Sequence, residues 1–224
     1  MTEQRGRVLC QNRVLALVWR CLILAACGGG LGPMFFGPSF SGLTLSYFTT
    51  QSNLLVAALF LVLTVGTARQ LVRGGRRGGA FSLPMPVQLA VVFFIQITFL
   101  VFAGFLSGGT FSMGSVMAIS NLLLHYVVPL MALADWLFFQ PHGLVGWKHA
   151  ACWLCYPAAY VAFAFIRATL GPVFYNGSRF PYYFMDADIL GLNLLWICPL
   201  FFLGFFGLAC VIVAADRALG RRRG

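Results

Sequence analysis

Apolar positions along this chain gather into six long blocks, near residues 14–36, 47–69, 87–107, 116–139, 150–170 and 189–214. Each is about as long as the roughly 20 helical residues that cross a hydrocarbon core of about 30 Å. Lipid offers no partner to an open backbone, and no block shows the two-residue alternation of a barrel strand. Every block is therefore predicted to be helix. Polar residues, Gly and Pro fall mainly between the blocks. The longest internal connection, 70–86, reads QLVRGGRRGGAFSLPMP, and Pro84 and Pro86 stop a helix before the third block. It is expected to be a Gly/Arg-rich cytosolic linker. No connection is long enough to hold a soluble domain, so the pattern predicts an all-α integral membrane protein. Its single domain, residues 1–224, is a bundle of six transmembrane helices.

Composition agrees: 60% of the 224 residues are apolar and 9% are charged, where soluble domains carry about 25% charge. The net charge of +10 does not argue for nucleic acid, because its placement follows the blocks. Arg5, Arg7 and Arg13 precede the first block, and Arg69, Arg73, Arg76 and Arg77 follow the second. Lys148 lies between the fourth and fifth, and Arg217, Arg221, Arg222 and Arg223 form a basic tail over 216–224. The alternate loops 37–46 and 108–115 contain no Lys or Arg, and the last contains only Arg179. By the positive-inside rule both termini are cytoplasmic. The arginines act first as topology signals, with anionic-lipid contact second. All basic residues but Lys148 are arginine, a bias that points to a GC-rich bacterial genome and so to a multi-pass protein of the bacterial plasma membrane.

The N-terminal pattern also resembles a lipoprotein signal peptide with Cys27 as the lipidated residue. Trp19 and Arg20 interrupt its apolar region, however, and apolar sequence continues to Phe36, which favours a span. The odd number of cysteines, in or beside spans, argues against a disulfide framework. His149, Cys152 and Cys155 share a helical face near His142, yet lack the paired knuckles of a zinc site. Neither a metal nor another cofactor is implied.

Polar side chains within the blocks carry the candidate chemistry. His125 lies inside the fourth, in NLLLHYVVPLMALADW, where an ionisable group must be neutral, paired or facing a cavity. Asp135, near the end of the same block, is expected to pair with a basic residue or to snorkel. Tyr47 to Leu55 read YFTTQSNLL and open the second block at its external end. Thr49 and Asn53 are one helical turn apart, with Ser52 beside them and Thr50 adjacent. Such residues commonly hydrogen-bond across packed helices. A hydroxyl cluster and a membrane histidine are also the minimum set for a nucleophile and its base. Arg167 closes the fifth block, with Tyr156 and Tyr160 behind it on roughly the same face.

Three stretches, YFTTQSNLL, NLLLHYVVPLMALADW and GPVFYNGSRFPYYFMDADILG, resemble small six-span bacterial membrane proteins. Those are similar in turn to the eukaryotic androgen-induced, FAR-type membrane hydrolase family. That resemblance implies hydrolysis of fatty acid esters of hydroxy fatty acids by a Thr at the top of one span and a His within a later one. The matching residues are Thr49, in Tyr47-Phe48-Thr49, and His125. Thr50 is the alternative nucleophile. The family's proline-rich loop pattern becomes Phe180-Pro181-Tyr182-Tyr183-Phe184-Met185-Asp186, without its second proline.

The expected function is therefore an intramembrane lipid-ester hydrolase acting on a lipid-like substrate within membrane lipid. Thr49 would be the nucleophile, His125 the base and Asn53, Ser52 or Thr50 the polar support for the oxyanion. Arg167 would receive a substrate carboxylate at the membrane boundary. The alternative is a non-catalytic six-span protein, a small transporter or a scaffold, whose polar residues are interhelical glue. Gly28 to Gly32 and Pro129 are the breaks that hint at the discontinuous spans of transport. Depth opposes the enzyme: at 1.5 Å per residue Thr49 lies about 3 Å and His125 about 14 Å inside their blocks. A second span beginning near Leu43 narrows that difference to roughly 5 Å, which tilt can close.

Overall fold

The computed structural model describes residues 6–37, 41–106, 116–174 and 176–221. Six helices in it are long and apolar enough to cross a membrane: α1 Arg13–Phe36, α2 Phe48–Gly74, α3 Met85–Leu106, α4 Val116–Phe139, α5 Trp147–Leu170 and α6 Ala187–Gly220. The chain is a multi-pass membrane protein. No strand occurs among the described residues. Arg5, Arg222, Arg223, Tyr175 and the 108–115 loop lie outside them.

Helix α3 holds the bundle together because its apolar residues enter two separate cores. Its Leu89, Val92, Phe93 and Phe94 belong to a core with Trp153 and Ala164 of α5 and with Ala209 and Ile212 of α6. Its Ile95 belongs to a second core with Ile23 and Cys27 of α1, Val56 and Phe60 of α2, and Val128 of α4. Each interior polar residue of α3 finds a partner on another segment. Gln88 donates to Gln140 Oε1 (2.9 Å), Gln96 donates to the Pro129 carbonyl (2.8 Å), and Thr98 shares a hydrogen bond with Ser52 (2.8 Å). Such interhelical bonds are worth about 0.6 to 2 kcal/mol each in a membrane.

One end of the bundle is tied by two buried charge networks. Arg20 is fully buried; its Nε donates to Asp135 Oδ1 (2.9 Å), and its other nitrogens reach the carbonyls of Leu63 and Phe81 and the Thr67 hydroxyl. Gln140 donates to the second Asp135 oxygen (2.8 Å). Asp135 is thus paired, and Arg20, read from sequence as an interruption, is its partner. In the second network Asp216 Oδ2 accepts from the main-chain N–H groups of Gly143, Leu144 and Val145. His142 stands beside it, with Nδ1 3.6 Å from Asp216 Oδ1. Gly143 takes a left-handed turn (φ +82°) and touches Gly220, where a Cβ on Gly143 would lie 3.0 Å from the Gly220 Cα.

Two expected connections change character. Helix α2 continues past its apolar block to Gly74, because Arg, Gln and Leu are good helix formers, and it stops at Gly75 (φ +74°). The linker after it is not loose: Arg13 donates to the carbonyls of Gly74, Gly75 and Gly79, and Gly78 N–H donates to the Gln11 carbonyl. Residues 216–220 of the expected tail are the last turn of α6, with Asp216 buried in it.

Candidate active site

Thr49 sits in the first turn of α2, immediately after the 3-10 turn Gly42–Ser46. His125 is nine residues into α4, about 13 Å along its axis. The two side chains nevertheless meet, with Thr49 Oγ1 3.1 Å from His125 Nε2. Helix α2 does not start early near Leu43. It starts low, and this shift brings its N-terminus level with the middle of α4.

Local backbone chemistry then aims the imidazole. Leu123–Val127 forms a π-helical turn, in which Val128 N–H reaches back five residues to the Leu123 carbonyl. In that register residue 129 would donate to the Leu124 carbonyl, but Pro129 has no N–H. Asn53 fills the gap: its Nδ2 donates to the Leu124 carbonyl (3.2 Å) and to the Thr49 carbonyl (2.9 Å). The amide thereby clamps the threonine turn to the histidine turn. His125 Nδ1 lies 2.9 Å from the Asn121 carbonyl. A carbonyl only accepts, so Nδ1 carries the proton and Nε2 of the neutral ring accepts from the Thr49 hydroxyl. Phe102 stacks on the imidazole with centroids 3.8 Å apart and fixes its plane.

On its other side Thr49 faces a cavity of about 70 Å³, lined from α2, α3, α5, α6 and the loop before α6. Its walls are mainly Phe and aliphatic side chains; Thr49, Thr98, Tyr160 and Tyr182 contribute hydroxyls, and none of the lining residues is charged. An apolar wall with a few placed hydroxyls is the kind of lining found in small-molecule sites. His125 does not line it, so the threonine stands between cavity and imidazole. Tyr160 donates to the Ser46 carbonyl (2.9 Å), Tyr156 to Gln51 Oε1 (3.1 Å), and Tyr182 Oη accepts from Thr49 N–H at 3.4 Å.

The other sequence candidates lie differently. Ser52 donates to the Thr49 carbonyl (3.1 Å) or bonds Thr98. The Thr50 hydroxyl is buried without a hydrogen-bond partner among the described residues and does not line the cavity. Arg167 is also outside the cavity. Its guanidinium donates to the carbonyls of Arg179 and Pro172 and lies over the Phe174 ring, 4.1 Å from the centroid. Two of its five N–H donors hold the loop, and a carboxylate bound there would lie outside the cavity. Cys27 is buried between helices. His149 Nδ1 is engaged with Gly146, Cys152 and Cys155 are exposed, and no group of three metal-type ligands occurs among the described residues. Sequence reading passed over Tyr182 and the Asn121 carbonyl. Pro129, four residues after the histidine, is the signal that main-chain pairing is altered there.

Comparison of the chain with protein-family models, with curated proteins and with solved structures finds no match in any of the three.

Proposed function

We propose that this protein is an intramembrane hydrolase of fatty acyl esters, with Thr49 as nucleophile and His125 as base. The observation that carries the reading is the 3.1 Å contact of Thr49 Oγ1 with an imidazole nitrogen whose ring partner is held by a carbonyl. This is the nucleophile, base and orienting group of covalent acyl transfer, with a main-chain carbonyl in the third role. The uncharged aromatic cavity beside Thr49 suits an acyl chain, and a membrane lipid can reach it without crossing water.

In the reaction Thr49 Oγ bonds to the acyl carbon while its proton passes to His125 Nε2. The tetrahedral adduct then expels the alcohol, which takes that proton. Water next attacks the acyl-threonine by the same route, which releases the fatty acid and restores both side chains. We place the arginine-rich end of the bundle in the cytosol of a bacterial plasma membrane. The site is then near the external leaflet, in keeping with the charge distribution.

Interhelical glue accounts for Ser52 and Asn53, and helix α1 runs unbroken through Gly28 to Gly32. A scaffold leaves unexplained why a threonine bonded to a histidine should border a cavity. The test is turnover of long-chain acyl esters by the purified protein. Thr49→Ala and His125→Gln should each lose roughly two to four orders of magnitude in kcat, and Thr50→Ala should not. Equal turnover by wild type and Thr49→Ala would refute the reading.

A further inference from the structure

Asn53 and Ser52 face Thr49, but their donor groups are already committed. Both Nδ2 hydrogens of Asn53 go to main-chain carbonyls, and the Ser52 hydroxyl lies between the Thr49 carbonyl and Thr98. Two other donors border the cavity at the nucleophile. Thr49 N–H lies in the first turn of α2, where no earlier carbonyl can reach it. It faces Tyr182 Oη at 3.4 Å, a long and weak contact. Tyr182 lines the cavity and comes from the loop between α5 and α6.

We propose that the Tyr182 hydroxyl and the Thr49 main-chain N–H together form the oxyanion hole of the hydrolase proposed above, on which this assignment rests. When Thr49 Oγ bonds to the acyl carbon, the carbonyl π pair moves onto the carbonyl oxygen. That oxygen approaches from the side of the pair, exchanges their long mutual contact for its own and takes a hydrogen bond from the phenol and from the amide. On collapse the pair returns to the carbonyl and the bond to the alcohol breaks, with His125 supplying its proton. The donors give no proton away, and both already stand beside the nucleophile, which is what makes such a hole effective.

The loop is built to hold the phenol still. The Tyr182 ring stacks on Phe184 (5.1 Å, 7° between planes), and Tyr47 meets it edge-on at 5.9 Å. Phe184 stacks in turn on Phe201 of α6. Behind the ring, Ser178 donates to Asp186 Oδ2 (2.7 Å), and Asp186 Oδ1 accepts from Asp188 N–H to cap α6. The Arg167 guanidinium pins the same loop through the Arg179 carbonyl. Burial keeps the Tyr182 phenol above the usual tyrosine range, so it remains a protonated donor at neutral pH.

Tyr182→Phe preserves the ring and removes only the donor. Using 4-methylumbelliferyl palmitate and the detergent-solubilised full chain, the variant should lose roughly 10²- to 10³-fold in kcat with little change in KM. Inhibition by a long-chain trifluoromethyl ketone, whose Thr49 adduct carries the oxyanion, should weaken in parallel. Binding of the matching ether, which has no carbonyl, should be unchanged. A Thr49-dependent wild-type activity that Tyr182→Phe retains in full would overturn this assignment and leave the hydrolase standing. So would an equal loss of ether binding, which would mark Tyr182 as packing alone. Wild-type activity no greater than that of Thr49→Ala would overturn both.

Discussion

At the residue scale, a side chain's role here follows from where its hydrogen bonds are spent. Thr49 and Asn53 belong to one polar cluster, yet only the threonine has its functional atom free to face both an imidazole and a cavity. Asn53 is a positioning residue that spends its amide on two carbonyls. Arg167 is the clearest case. A cation closing a span beside the site suggests a carboxylate ligand, while two of its N–H donors and its ring contact hold the loop before α6. Arg167→Gln should therefore loosen that loop and lower kcat/KM equally for a substrate with a free terminal carboxylate and for its methyl ester. A loss confined to the free acid, measured on the matched pair, would restore the carboxylate role.

At the element scale, the π-helical turn of α4 sets the register of the site. Pro129 removes one N–H, the Leu124 carbonyl is left open, and Asn53 of α2 closes it. Pro129→Ala supplies the missing donor, which competes with Asn53 for that carbonyl. A proline in a helix interior costs about 3 kcal/mol relative to alanine, so the variant should melt no earlier than wild type. Its hydrolase activity should still fall, by up to about 100-fold if the imidazole moves by about 1 Å. Full activity in a stable Pro129→Ala protein would show that the turn does not position His125. Sequence reveals the proline and the histidine as unusual residues in an apolar block. It does not reveal their coupling, because π pairing depends on a neighbouring helix supplying the amide. Tyr182 was hidden for a related reason: it reaches Thr49 from a loop 133 residues further along the chain.

At the scale of the whole molecule, the six apolar blocks convert directly into six helices, since chain in lipid has few alternatives to helix. What the pattern misplaces are the ends of α2 and α6, where apolarity stops at the membrane but helical pairing continues. It also does not name Arg20 as the basic partner expected for Asp135. In the fold they are one buried pair, sealed by Thr67, Gln140 and two carbonyls. Removing one partner of such a pair costs about 3 to 5 kcal/mol, whereas replacing both with apolar residues is often neutral. Thermal melts should accordingly show Asp135→Leu well below wild type, with much of the loss recovered in Arg20→Met/Asp135→Leu. An additive double variant would mean that the two residues stabilise the bundle independently.

The central claim, that Thr49 is a nucleophile activated by His125, is tested most directly by mapping a covalent adduct. Folded protein treated with a long-chain alkyl fluorophosphonate, digested and analysed by tandem mass spectrometry should carry one phosphonyl group on Thr49. The adduct should be absent in Thr49→Ala, strongly reduced in His125→Gln and retained in Thr50→Ala. An adduct on Thr50 or Ser52, labelling undiminished in Thr49→Ala, or an unlabelled but folded wild type would contradict it.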